Sequence, residues 1–248
     1  MRRLVALALS ITATLAPATL TRAAPAALTP AAAATEAAHQ AGMEGYLYFY
    51  PLVTMDLTRR QFTHPSRGAE GAPANTFLHA RALPQPGAAT PWANPDMLRS
   101  VGWLDLTSGP VVLSVPDTQG RLYALTLLDM WTDVFATLGK RSTGTAKGNT
   151  VIVPPGWSGV LPSGMARIDA PTAYVWAKNL IQADGPADYP AVHVLQDGFQ
   201  LTPLAQWNLP VQAQRAKADP SLNLRIPVRE QVESMPTDAY FEYAAELL

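Results

Sequence analysis

Residues 94–135 read NPDMLRSVGWLDLTSGPVVLSVPDTQGRLYALTLLDMWTDVF, and this stretch decides the fold. Residues 111–115 and 121–130 are two runs of β-branched and large apolar side chains, separated by the turn-type segment Pro116–Gly120. Successive side chains of a strand point to opposite faces, and in the second run both faces are mostly apolar. The second run therefore predicts a strand that is buried on both sides, as in the middle of a sandwich.

Polar residues lie at the two ends of this stretch. Asp129 follows the second apolar run, and a carboxylate there must be hydrogen-bonded, paired or solvated in a cleft. Trp131 comes directly after it, and Asn94 and Asp96 lie at the opposite end. We take these four residues as candidates for ligand binding. Asp96 and Asp129 are also the candidates for a catalytic acid or base.

The composition bounds the class of protein. Of the 248 residues 48% are hydrophobic and 15% charged, which is typical of a globular chain with a sizeable core. The 23 prolines and 16 glycines indicate many short strands. We predict a mainly β fold with α segments: a sandwich of short strands, a helical N-terminal segment and one packed helix near the C-terminal end. The net charge of −1 gives no electrostatic case for a nucleic-acid partner.

The first 23 residues resemble a secretory signal peptide. Arg2 and Arg3 precede a thirteen-residue apolar run, Leu4–Ala16, and small residues follow it up to Ala23. This run is shorter than the roughly 20 residues that span a bilayer, so we expect cleavage and no membrane span afterwards. The predicted location is periplasmic or secreted. An exported chain without cysteine has no disulfide, no thiolate metal site and no cysteine nucleophile.

The segment from Thr29 to about Thr63 has a helical pattern, with residues 24–36 as a flexible mature N-terminus or the start of the helix. Pro51 predicts a kink or restart. Tyr46 and Tyr50 lie four residues apart and share a face, and Arg59 follows on later turns. One interpretation is a packed helix whose tyrosines anchor it to a sheet. The other is that these three side chains line a ligand pocket.

A second set of candidates lies between residues 75 and 81. Asn75, Phe77, His79 and Arg81 alternate as strand residues do, which places them on one face. A histidine next to an arginine on one face is unusual in a pure core. His79 and Arg81 are therefore candidates for ligand binding, although a lone histidine is more often simply hydrogen-bonded in place.

Other motifs exclude specific chemistry. The basic loop Gly139–Gly148 lacks the residue order of a phosphate loop, and Gly156–Gly159 is followed by Val160 where a hydrolase elbow needs glycine. His193 and Asp197 lie four apart on a predicted helix, a spacing that alone does not specify a metal site. We predict no metal and no cofactor.

The sequence resembles the family called domain of unknown function 1254 from about Gly42 to Leu204. The segments that carry the resemblance include EGYLYFYPLVTMDLTRRQ, NTFLHARALP, NPDMLRSVGWLDL, LYALTLLDMWTDVFATLGKRSTGTAKG and GPADYPAVHVLQDGFQLTPL. The resemblance implies an exported bacterial protein with a helical start and a single β-rich domain, here residues 37–210. Met97 stands where the family pattern commonly has a hydroxyl residue, and Arg99 stands where it has a tyrosine. If these two positions contact a ligand in the family, this member either binds a different molecule or has lost the site.

Residues 211–248 are predicted to be a tail that ends in a short helix. Many members of the family carry a second module, domain of unknown function 1214, after such a helix. The apolar stripe Phe241, Ala244, Ala245 and Leu248 therefore predicts a partner: a separately encoded second module or another copy of this chain.

Two hypotheses about function follow. The first is an exported ligand-binding or envelope-associated protein with a polar cleft near His79, Asp96, Asp129 and Trp131. The second is a hydrolase in which Asp96 or Asp129 acts as general acid or base.

Overall fold

A computed structural model describes residues 29–84, 94–209 and 218–248. The predicted signal peptide lies outside the described residues. The chain divides into two compact units, residues 1–43 and 44–248. In the first, the helix α1 (Pro30–Thr63) begins with proline at its first position, and the Thr29 hydroxyl accepts a hydrogen bond from the Ala32 amide at 3.3 Å. The helix continues through Pro51 into the second unit.

Two mostly antiparallel sheets form the body of the second unit, which confirms the predicted mainly β fold. The five-stranded sheet has the order β1-β2-β8-β4-β5, and the four-stranded sheet has the order β7-β6-β3-β9, in which only β6 and β7 are parallel. The strands are β1 (Leu78–His79), β2 (Met97–Asp105), β3 (Val111–Val115), β4 (Tyr123–Leu128), β5 (Val134–Gly139), β6 (Gly148–Val153), β7 (Ala166–Asp169), β8 (Tyr174–Gln182) and β9 (Gln200–Pro203). The remaining helices are α2 (Tyr189–Gly198), α3 (Val228–Glu233) and α4 (Thr237–Glu246), with single 3₁₀ turns at Pro65–Glu70, Pro186–Asp188 and Leu204–Gln206.

The main core lies between the two sheets. Leu104, Leu125 and Ile181 of the larger sheet pack in one buried cluster with Leu113 and Ile152 of the smaller one. Every second side chain of β4 is fully buried in this core, whereas the alternate ones are only half-buried. The prediction that this strand is buried on both sides is therefore wrong, because no second sheet covers its outer face.

The predicted strand across residues 75–81 is shorter than expected. Only Leu78 and His79 pair with β2. Asn75 has a φ of 56°, and its amide donates to the Trp103 carbonyl at 2.7 Å while its Oδ1 accepts from the Asp105 amide at 3.0 Å. This asparagine therefore closes a turn against the end of β2 instead of extending β1.

The C-terminal helices pack against α1. Tyr240 and Ala244 of α4 are buried in one cluster with Val53 and Leu57 of α1. The prediction that the apolar stripe of α4 has nothing of its own chain packed on it is wrong for Ala244, because α1 covers this residue. Ala245 and Leu248 are exposed, and a second chain on them stays a prediction. In the described ranges, no helix is both long enough and apolar enough to cross a membrane.

Candidate ligand-binding cleft

A row of polar side chains crosses the inner face of the five-stranded sheet. His79 of β1 lies opposite Ser100 of β2, and Ser100 lies opposite Asn179 of β8. Ser100 and Asn179 are fully buried among apolar neighbours. Gln196 of α2, also fully buried, packs against the same row. Four polar residues from three strands and one helix therefore meet at one side of the core.

The hydrogen bonds around His79 are the basis for assigning its tautomer. The Gln196 Nε2 donates to the Ala80 carbonyl at 3.1 Å, and the same Nε2 lies 3.2 Å from the Ser100 Oγ. The Ser100 hydroxyl consequently accepts from the glutamine and donates its own proton to the His79 Nδ1, 2.8 Å away. On this network we assign the imidazole proton to Nε2.

His79 is neutral around pH 7. Burial lowers the pKa of the imidazole from 6.5 to about 4, and the positive charge of Arg81 acts in the same direction. Asp197 raises the pKa but is outweighed. The ring thus offers one donor, Nε2–H, which makes no hydrogen bond within the described part of the chain.

The ring of His79 lies in the wall of a cleft of about 480 Å³. The cleft runs between the β1 edge of one sheet and the β9 edge of the other. Its walls combine apolar and polar side chains: Pro73, Asn75, Thr76, Phe77, His79, Asp197, Phe199, Gln200, Leu201, Thr202, Pro203, Gln206 and Leu209. Of the four residues predicted to share a face, Asn75, Phe77 and His79 line the cleft and Arg81 does not, while Thr76 lines it as well. A volume of this size is within the range of small-molecule sites.

Arg81 positions α2 instead of lining the cleft. Its guanidinium forms an ion pair with Asp197, and it also donates to the His193 carbonyl at 3.3 Å and to the Gln196 Oε1 at 3.4 Å. The arginine holds the pKa of Asp197 below its usual range. Because the guanidinium is already engaged, its contribution is to fix Gln196, and through it the hydrogen bonds of His79.

The Ser100–His79 pair is not arranged for nucleophilic catalysis. The Ser100 side chain is completely buried, so a substrate has no access to its hydroxyl. In the assigned tautomer its proton is directed to Nδ1, and Nε2 carries a hydrogen. The arrangement suits hydrogen-bond donation to a bound molecule.

Asp129 organises a turn. Its Oδ1 accepts from the Trp131 amide at 2.8 Å and from the Asp133 amide at 3.0 Å, and Thr132 between them has a φ of 71°. The carboxylate thereby closes the connection between β4 and β5. The Trp131 ring packs on Tyr48 with the ring centroids 5.0 Å apart.

Asp96 and Asn94 lie far from this turn. Asp96 is exposed, and the Asn94 Oδ1 accepts from its amide at 3.2 Å. The neighbouring Met97 pairs with Gln182 at one end of β8, whereas Leu128, which precedes Asp129, pairs with Trp176. Gln182 and Trp176 are six residues apart along β8, a distance of about 20 Å. The structure therefore does not bring Asp96 and Asp129 together, and neither carboxylate is in the cleft beside His79.

The aromatic candidates on α1 pack against α4. The ring of Tyr46 lies 4.7 Å from that of Tyr240 and 5.7 Å from that of Tyr50, measured between centroids. The Tyr240 hydroxyl donates to the Tyr46 carbonyl at 2.8 Å. The interpretation that these tyrosines anchor α1 to a sheet is wrong, because their contacts are with the C-terminal helix. Burial raises the pKa of Tyr240 to about 12, so its hydroxyl stays protonated.

Arg59 belongs to a buried ionic network. Its guanidinium donates to the Asp56 Oδ1 at 3.1 and 2.6 Å and stacks 3.8 Å from the ring centroid of Tyr174. Asp56 is only 2% exposed, and its Oδ2 accepts from the Tyr243 hydroxyl at 2.5 Å. Burial, followed by the charge of Asp56, raises the pKa of Tyr243. The network joins α1, β8 and α4, and it leaves Arg59 engaged within the chain.

Sequence analysis missed Ser100, Asn179 and Gln196. A signal for Asn179 was present, because it occupies the phase of β8 that otherwise carries Val175, Ala177 and Ile181. A polar residue at a core-facing position of an apolar strand has to be accounted for. Among the described residues no group of three or more carboxylate or imidazole side chains is arranged to hold a metal ion.

Residues 74–203 match the model of the family described as "Protein of unknown function (DUF1254)". The match covers more than half of the chain and contains His79, Ser100, Asn179 and Gln196. The chain therefore belongs to the DUF1254 family, as the resemblance predicted. None of the curated proteins matches it.

Two solved structures are similar to this chain. The VPA0106 protein from Vibrio parahaemolyticus is 23% identical, with a TM-score of 0.53, and the match covers 81% of this chain and 50% of that one. The chain thus spans about half the length of that relative, with which it shares the fold. An uncharacterised protein from Burkholderia cenocepacia is 13% identical over 53% of this chain and 36% of its own, with a TM-score of 0.34.

Proposed function

We propose that the protein binds a small molecule in the cleft that His79 lines. The observation that carries this proposal is the imidazole of His79 in the wall of the cleft, whose Nδ1 is bonded to Ser100 and whose Nε2 makes no hydrogen bond in the described part of the chain. A chain of hydrogen bonds from Arg81 through Gln196 to Ser100 orients this one donor. Such preorganisation reduces the ordering cost when a ligand binds.

The walls suggest the chemistry of the ligand. A neutral imidazole N–H donates to an uncharged acceptor such as a carbonyl or ether oxygen. Phe77, Phe199 and Leu201 provide apolar surface for the body of the molecule. Asp197 at the rim disfavours an anionic group. We therefore propose a neutral ligand that combines an apolar body with a carbonyl or ether oxygen.

A ligand screen tests this proposal. We expect members of a panel of uncharged ketones, amides and esters to raise the thermal midpoint of the wild-type protein. The His79→Phe variant keeps an aromatic ring but lacks the donor, so we expect at least about a tenfold loss of affinity, the worth of one buried hydrogen bond. His39→Gln, at an exposed position of α1, is the matched control and retains binding. Equal affinity in His79→Phe and the wild type, or no response to any compound of the panel, would refute the proposal.

We also propose that the chain is exported, on the basis of the sequence of residues 1–23. The experiment is expression in a bacterial host, fractionation, and mass measurement of the intact protein. The expected result is a periplasmic or secreted protein that lacks residues 1–23. A cytosolic protein that retains its first 23 residues would contradict export.

A further inference from the structure

The outer face of the five-stranded sheet carries two cations on its central strands. Arg99 precedes Ser100, and Lys178 precedes Asn179, so each points away from the core that its neighbour faces. Lys178 lies opposite Val101, and Arg99 is two residues from Val101 along β2. Arg99 and Lys178 are thus diagonal neighbours on one face, with their Cα atoms about 7–8 Å apart.

Neither cation is neutralised by its own chain. Within the described residues, neither side chain forms an ion pair, although seven arginines of the same chain do. All 19 aspartates and glutamates of the sequence lie in the described ranges, so the remaining segments hold no carboxylate side chain that could supply the countercharge. Burial lowers the pKa of Lys178, and Arg99 lowers it further.

The surroundings of Lys178 fix its position. Its Nζ lies 4.7 Å from the centroid of the Trp176 ring, a cation–π contact that orients the ammonium group without neutralising it. The Trp176 Nε1 is buried with no acceptor among the described residues. Lys178 is half-buried and Arg99 is exposed, so this face presents two cationic donors that solvent can reach.

We propose that Arg99 and Lys178 form a binding site for the oxyanion group of a small molecule, a carboxylate or a phosphate. The planar guanidinium binds two oxygens at once, and the ammonium group provides a point charge beside it. An anion there replaces the missing countercharge of a half-buried lysine. The site lies on the opposite side of the sheet from the His79 cleft, and it does not depend on the function proposed for that cleft.

Calorimetric titration with inorganic phosphate and, separately, with acetate tests the site at low ionic strength. We expect saturable binding of at least one of the two anions by the full-length mature chain. The double variant Arg99→Gln/Lys178→Gln should weaken that binding at least about tenfold, since two charge-assisted hydrogen bonds are lost. The control Arg141→Gln/Lys147→Gln removes the same charge from an exposed loop and should bind as the wild type does.

Titration of the Lys178 side chain, followed by nuclear magnetic resonance, is an independent measurement. It uses the wild-type protein, so the result cannot be caused by a substitution that impairs folding. The anion that binds should raise the pKa of Lys178 toward its usual value, because it stabilises the ammonium form. Lys178→Arg keeps the positive charge and should retain most of the affinity. The proposal is overturned if neither anion binds saturably, if both double variants lose affinity equally, or if the bound anion leaves the pKa of Lys178 unchanged.

Discussion

The folded protein should resist protonation of His79, and this resistance is measurable as a loss of stability in acid. The unfolded chain takes up a proton at this residue near pH 6.5, whereas burial and Arg81 delay uptake in the folded protein to about pH 4. Between these values the unfolded state binds more protons, so the free energy of unfolding falls as the pH falls. Above pH 6.5 the ring is neutral in both the folded and the unfolded state, so it does not change the free energy of unfolding.

The size of the effect follows from the difference between the two pKa values. The difference between a pKa of 6.5 and one of about 4 corresponds to about 3.4 kcal/mol of unfolding free energy before solvent screening is considered. The ring is only half-buried, and solvent screening reduces the expected loss to about 1–2 kcal/mol. Asp197, paired with Arg81, has its pKa held low and stays ionised over most of this range. Asp197 therefore contributes nearly the same amount to the free energy of unfolding in the wild type and in a His79 variant, and this amount largely cancels in the comparison.

Urea unfolding of the wild type and of His79→Gln, at several pH values between about 7 and 4, measures this quantity. The wild type should lose about 1–2 kcal/mol more than His79→Gln across the range. His39→Gln, which removes an exposed histidine, should follow the wild type. Parallel curves for the wild type and His79→Gln would refute the reasoning, as would direct titration of the His79 ring near pH 6.5.

Three further substitutions should change the free energy of unfolding in urea. Asp129→Ala should lower it by about 2–3 kcal/mol because two backbone amides lose their acceptor, and an unchanged midpoint would contradict the structural role of this carboxylate. Asn179→Leu should raise it by about 1–3 kcal/mol because both amide atoms of Asn179 are buried without partners in the described structure; destabilisation would show that the amide is satisfied in solution. Tyr243→Phe should lower it by about 1–3 kcal/mol, since buried Asp56 loses a donor, and a neutral result would mean that its arginine partner suffices.

Local patterns in the sequence predicted individual elements well. The runs at residues 111–115 and 121–130 became β3 and β4, and the predicted helix that carries His193 and Asp197 is α2. These elements depend on alternation, propensity and capping, which are properties of neighbouring residues. Asp129 illustrates the limit, because its position at the end of a strand was correct while its partners are two amides of its own turn.

The composition of the site was less predictable, because it depends on which strands are neighbours. Strand β8 lies between β2 and β4, although it follows both in the chain, and this places Asp96 and Asp129 at opposite ends of the sheet. The same topology brings Ser100 beside His79, a pairing across 21 residues. Gln196 reaches this pair from a helix that is distant in sequence. No local pattern contains that information.

The hydrogen bond between Asp56 and Tyr243 has a consequence for when the chain can fold. Its partners are 187 residues apart, so at ribosomal rates of about 5–20 residues per second Tyr243 is made about 10–40 s after Asp56. During that interval the carboxylate has only the two arginines of its own helix, Arg59 and Arg60, and the apolar side of α1 has no α4 to cover it. The contacts between α1 and α4 can therefore form only after residues near 243 have been synthesised.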